Sequence, residues 1–259
     1  MKIKVFSIAF LILLFGVTKL TSAQCCTAES IVSMMLQSGI NAGYGIQVYD
    51  AAGFNNYINV YNQKYASSLK SPLSTFGRAI GPKFGIHVLQ LHLDQLLLSL
   101  RINYSQLKEK NSSSRFSILG ANINEEFDLR LTSVGVGIVS SLIVGKRFDI
   151  KFLDAMVTWN TAKLTNSYED PLISTEQKLE SVRSYLGFMG GAGFTFYFIP
   201  QYLALEATGG YSLFSISEMQ FDEGELLAER PDGGAAMKNF INAGGWFAFV
   251  QLNLSVPIR

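Results

Sequence analysis

The sequence predicts an all-β fold, an eight-stranded antiparallel transmembrane β-barrel with short periplasmic turns and long extracellular loops. Three observations carry this: strict apolar/polar alternation recurs eight times, the connections alternate between very short and long, and the chain opens on an export signal. The alternation is plainest in the last stretch, GGWFAFVQLNLSVPIR, where Trp246, Ala248, Val250, Leu252, Leu254, Val256 and Ile258 share one face and Gln251, Asn253 and Ser255 the other. Successive strand side chains point to opposite faces, so this pattern describes a strand with one apolar and one polar surface.

The first residues carry Lys2 and Lys4, an apolar run from Val5 to Val17, and Thr21-Ser22-Ala23. A short basic flank, an apolar core and small residues at the end describe a secretory signal peptide over 1–23, cleaved after Ala23. An N-terminal membrane anchor would want about 20 apolar residues, and Lys19 interrupts the run first. Cys25 and Cys26 are the only cysteines; adjacent thiols make a strained bridge and cannot staple a fold. Residues 24–38 read as a short periplasmic segment with a brief helix over TAESIVSMMLQS, and 39–259 as the barrel domain.

The first strand, near Gly39 to Asp50, sets Ile40, Ala42, Tyr44, Ile46 and Val48 against Asn41, Gly43, Gly45 and Gln47. The second, Phe84 to Leu93, slips parity near Val88 and Leu89, the mark of a bulge. The third sets Leu98, Leu100, Ile102 and Tyr104 against Ser99, Arg101 and Asn103. The fourth, Ile123 to Val144, changes its apolar parity from Phe127, Leu129 and Leu131 to Val134, Val136 and Ile138. The fifth (148–163), sixth (183–198) and seventh (202–218) alternate in the same way, and the closing stretch is the eighth.

Turns near 94–95, 145–147 and 199–201 are very short, whereas the connections at 51–81, 108–122, 164–182 and 219–243 are long. Sorting of turns to one end and loops to the other is the habit of membrane barrels. A tilted strand needs roughly 9 to 11 residues to cross the hydrocarbon, which every candidate reaches. Backbone groups in lipid must all be paired, so the sheet has to close, the last strand against the first.

With 21 basic and 20 acidic residues the chain has no electrostatic reason to bind nucleic acid. The 19 Phe, 11 Tyr and 23 Gly, with only 16% charged residues, suit strands. His87 and His92 are the only histidines and face opposite sides of a regular strand, which points to no metal site; no nucleophile with a positioned base assembles, so no catalytic residue and no cofactor is expected. The glycines at 190–193 and 209–210 lack the ending of a phosphate loop and read as room for large lumen side chains.

Parity places Arg101 and Glu206 on the lumen face, a candidate charge pair, since a buried charge must be compensated; Arg130 is a further charge within a predicted strand. In the first long loop Phe54, Tyr57, Ile58 and Tyr61 fall at helical spacing. Such a helix either caps the barrel mouth or offers these side chains as a loop interaction surface.

On these strands, loops and the ending WFAFVQLNLSVPIR, the chain from Gly39 to Arg259 resembles the small bacterial outer-membrane β-barrels, namely the OmpA-type and opacity-type barrels and the PorT-like barrels of Bacteroidota. It departs from them in closing on Ile258-Arg259 rather than an aromatic residue. The resemblance implies the cell outer membrane, contact with its lipid and with the barrel insertion machinery, an extracellular or envelope protein partner, and a structural, surface-interaction or limited solute-passage role with a largely filled lumen. The alternatives are an exported soluble barrel binding a lipophilic ligand and, further off, a lipid-modifying enzyme.

Overall fold

Alternating sequence becomes a closed ladder. The structure, a computed structural model, describes residues 37–93, 95–116, 121–170, 174–200 and 202–257. The export signal, Cys25, Cys26, the segment before Gln37, Asp94, Gln201 and the side chain of His92 lie outside the described residues. In chain order the elements are β1 (Gln37–Asp50), α1 (Ala52–Lys64), β2 (Leu69–Ser71), β3 (Arg78–Leu93), β4 (Leu96–Phe116), β5 (Asn122–Gly145), β6 (Phe148–Glu169), β7 (Ser174–Ser181), β8 (Tyr185–Ile199), β9 (Leu203–Leu213), β10 (Met219–Phe221) and β11 (Ala243–Pro257).

Eight of these strands close a ring in the order β1-β3-β4-β5-β6-β8-β9-β11, every pairing antiparallel. The seam is β1 against β11, from Gln37 opposite Pro257 to Asp50 opposite Ala243. The chain is thus an eight-stranded antiparallel β-barrel of the membrane-spanning type. β3 shifts register between His87 and Leu89, where the sequence slips parity. The strands β4, β5 and β6 run 21, 24 and 22 residues, about twice what a bilayer requires. Their upper halves rise beyond the turn-side ring, where β7 and then β10 extend the sheet from β6 and β2 pairs the tip of β4.

Along the lower halves the apolar side chains face outward. Ile40, Phe84, Leu100, Val136, Phe194, Val250 and Leu254 are all exposed, and Asn41, Ser99, Arg101, Thr158, Glu206 and Gln251 are buried in the lumen. A soluble barrel for a lipophilic ligand has the opposite polarity. Along the upper halves the polarity inverts. Leu107, Phe127, Leu129, Leu131, Ala162 and Leu164 face inward and are buried, in one cluster with Ile216, Phe240 and Ile241.

β4 and β5 pair without a register shift from Phe116 opposite Asn122 down to Leu96 opposite Leu142. The parity change in the fourth predicted strand is therefore no bulge. Side-chain direction stays regular there, and it is the identity of the apolar face that changes.

Room inside is made locally. Phe247 projects inward onto the paired glycines Gly191 and Gly210; a Cβ at Gly210 would stand 2.7 Å from its Cζ and 2.6 Å from the Cα of Gly191. Any side chain there would displace the ring.

Candidate functional site

The charged groups of the lumen meet in one cluster. β4 and β9 are diametrically opposite in the ring, and inward parity points Arg101 and Glu206 at each other. The guanidinium donates from both terminal nitrogens to the two Glu206 carboxylate oxygens at 2.6 Å each, the fork geometry that suits this pairing. Lys151, on β6, donates to the same carboxylate, to Thr208 and, at 2.8 Å, to Asp154. Asn253 on β11 donates to the second Glu206 oxygen at 2.7 Å. Glu206 and Lys151 are 0% and 1% exposed, so these charges persist only because each is compensated.

Lys151 and Asp154 are three apart, and a regular strand would send one of them into lipid. The β6 register shift between these residues turns both inward and leaves Phe152 and Leu153 outside together. Beside them, Lys83 lies 4.7 Å above the Phe249 ring.

His87 sits behind the pair, its Nδ1 facing Arg101 Nε at 3.2 Å, Gln90 Nε2 at 2.9 Å and Ser99 Oγ at 3.1 Å. With arginine donating, Nδ1 is the acceptor and the proton belongs on Nε2. The Ser99–His87 contact is the nearest approach to a nucleophile and base. Both groups are buried, at 5% and 1% exposure, and a cation takes the place on Nδ1 that a catalytic arrangement needs free.

Below the cluster a cavity of about 340 Å³ opens at the turn end, floored by Arg101, Glu206 and Asn253 and rimmed by Lys146, Tyr197 and Pro200. Tyr197 donates to Asp149 there at 2.6 Å. Above it, two voids of about 10 Å³ each lie at Lys83, Asn103 and Met156 and at Gln47, Leu107 and Ile216. Each has room for about one water. Asn103 Oδ1, buried without a protein partner, borders the first of these voids, where a single water would satisfy it.

Higher still, α1 lies in the mouth. Phe54, Ile58 and Tyr61 are buried at 0%, 0% and 3% exposure, and Tyr57 packs partly buried against the same cluster. Phe54 meets the rings of Phe76, Phe127 and Phe240. Phe54, Tyr57, Ile58 and Tyr61 are therefore not an exposed interaction surface, because the inverted upper strands supply an apolar wall for this stripe. At about 1.5 to 3 kcal/mol for each fully buried large side chain, the contact is a strong anchor.

Two asparagines, Asn55 and Asn62, clamp the returning chain. Asn55 donates to the Phe76 carbonyl and accepts from its N–H, at 2.8 and 2.7 Å. Asn62 does the same to Leu73 at 2.9 and 3.0 Å. Glu109 accepts from the Tyr49 hydroxyl at 2.5 Å and from the Gly77 and Arg78 N–H groups. The Tyr61 hydroxyl donates to Glu125 at 2.5 Å. Burial, followed by the charge of Glu125, pushes the Tyr57 hydroxyl up to about 12; burial and the Glu125 hydrogen bond raise Tyr61 as well.

Lys151, Asp154, Asn253 and the clamping asparagines were not among the residues singled out by sequence. Arg130 lies on the outer wall, 3.3 Å from Asp128.

No family model matches this chain, and no curated protein matches it. Among solved structures it is similar to a major outer membrane protein of Thermus thermophilus (TM-score 0.44, 11% identity, 85% of this chain and 99% of that one). It is also similar to Neisserial surface protein A (0.40, 11%, 85% and 96%) and to Ail, the attachment invasion locus protein of Yersinia pestis (0.37, 11%, 86% and 100%). The fold assignment rests on the closed ladder itself.

Proposed function

We propose that the chain resides in the cell outer membrane as a closed barrel whose role is structural and surface-interacting, without catalysis and without steady solute passage. One observation carries this reading: the lumen is obstructed at two levels by different means. The Arg101–Glu206–Lys151 cluster braces the ring across its diameter, and α1 with the inverted upper strands fills the mouth with apolar side chains. An eight-stranded barrel has an interior that side chains can fill completely. The outward apolar belt supports the membrane location, and the raised β4–β7 sheet with the 214–242 connection supplies a folded outer surface for an extracellular or envelope protein. Within the outer-membrane class this layout fits the OmpA-type, opacity-type and PorT-like small barrels.

The test is electrical. Purified protein inserted into planar bilayers gives no steady conductance, and deletion of residues 52–64 alone does not open a path, because the charged cluster remains. Large, stable channels from the unmodified protein would overturn the closed-barrel reading.

A further inference from the structure

On the outer wall, where β3 and β4 run side by side, an open groove of about 570 Å³ is lined by Tyr44, Ile80 and Pro82 on one side and Arg78, Lys108 and Lys110 on the other. We propose that this groove holds the phosphate-bearing headgroup of an anionic lipid of the surrounding bilayer. The inference rests on the membrane-spanning reading of the barrel and adds a lipid class and a site to it.

The groove arises from the sequence. Pro82 has no N–H to give to the ladder, and pairing between β3 and β4 lapses across Gly81 and Pro82, between Ile80 opposite Lys108 and Lys83 opposite Ser105. Tyr44 lies opposite Pro82 on β1 and is 60% exposed, so its ring joins the floor of the notch to the apolar belt. The upper wall is basic. Outward parity carries the row Ile80, Lys108, Arg130, Lys163 across four strands, with Arg78 and Lys110 one step above it.

The acids near this row decide what the cations can do. Glu126 holds Lys110 at 2.7 Å, Asp128 holds Arg130 at 3.3 Å and Glu180 holds Lys163 at 2.5 Å. Glu109 also lines the groove, and its carboxylate is engaged by the Tyr49 hydroxyl and by the Gly77 and Arg78 N–H groups. Among the described residues the Arg78 guanidinium and the Lys108 ammonium stand in no ion pair. Two uncompensated cations stand at the edge of a lipid-facing surface, next to an apolar notch that can take the start of an acyl chain. A phosphate on a lipid satisfies both halves at once. A free anion uses only the basic wall, and a protein strand would have to displace lipid from the floor.

The experiment is native mass spectrometry of the full protein released from mixed micelles containing equal phosphatidylglycerol and phosphatidylcholine. The wild type retains phosphatidylglycerol preferentially. The double variant Arg78→Ser/Lys108→Ser lowers the retained phosphatidylglycerol about thirtyfold, as expected for two surface cations near a headgroup. Lys70→Ser/Lys238→Ser, which removes the same charge from exposed positions outside the groove, leaves it unchanged. Heat-dependent electrophoretic mobility reports that each variant is folded. Equal loss in both doubles, or no loss in either, overturns the site. Displacement of the lipid by millimolar inorganic phosphate overturns the lipid as its source. Protein that stays in water without micelles overturns the membrane reading itself, whereas protein that enters micelles but shows no headgroup preference overturns only this proposal.

Discussion

Removing the Glu206 carboxylate tests the central brace most sharply. The side chain accepts two hydrogen bonds from Arg101 at 2.6 Å, one from Lys151, one from Asn253 at 2.7 Å and one from Thr208 at 3.2 Å. In Glu206→Ala, Lys151 keeps Asp154, while Arg101, 4% exposed, keeps only the neutral ring of His87. Breaking a buried pair by removing one partner costs about 3 to 5 kcal/mol, mostly from the charge left behind. Arg101→Ala is milder, about 1 to 3 kcal/mol, because Glu206 keeps Lys151 and Asn253 as donors. The double variant removes one charge of each sign and costs less than Glu206→Ala alone.

Trp159 and Trp246, the only tryptophans, both face outward on the lipid side, at 44% and 68% exposure. Urea unfolding from lipid vesicles, followed through their emission, therefore reads departure from the bilayer directly. Singles that add within about 0.5 kcal/mol in the double would show independent sites and refute the brace.

Three further outcomes follow from the same geometry. Val136→Arg, on the lipid face of β5, weakens insertion by about 2 to 4 kcal/mol near the midplane, whereas Asn122→Arg at the exposed upper end of that strand is neutral; equal folded yields on vesicles would mean that the belt is misplaced. Asn55→Ala with Asn62→Ala strips the partners from the Phe76 and Leu73 backbone, at about 1 to 3 kcal/mol for each pair of groups left unsatisfied, and proteolysis of the 65–78 segment accelerates while the ring stays intact. That segment also loosens in alkali. The raised Tyr57 hydroxyl contributes stability in full below its unfolded value near 10, and loses it as pH rises through about 12; Tyr57→Phe makes the cleavage rate rise less steeply over that window, the remaining dependence belonging to Tyr61, which is raised as well.

Much of this molecule was legible because a strand in a one-sided environment writes its orientation into the sequence. The inward parity of Arg101 and Glu206 could be read because Leu100 and Ile102, Leu205 and Ala207 fix the opposite face. Lys151 and Asp154 could not, because a spacing of three contradicts strand parity until the shift between them is known. The signal available was the consecutive apolar pair Phe152-Leu153, which makes sense only where two neighbouring residues point the same way. The aromatic stripe of α1 was visible, but periodicity says that such a stripe must be covered and is silent on what covers it. That information sits on distant strands, in Leu107, Phe127, Leu129 and Leu164.

Those same residues explain why the fourth predicted strand looked irregular. A ladder paired without a shift cannot exchange its two faces, so an apolar set that moves from Val134, Val136 and Ile138 on the outside to Phe127, Leu129 and Leu131 on the inside reports a change in the solvent beyond the wall. On β4 the change falls between Tyr104 and Leu107, on β5 between Val134 and Leu131, and on β6 between Trp159 and Ala162. The register puts Gln106, Thr132 and Thr161 opposite one another at that level. Three strands thus change polarity at one row, with lipid outside below it and water outside above it. The next outward row holds Lys108, Arg130 and Lys163, where cations facing a bilayer's headgroups would have to stand.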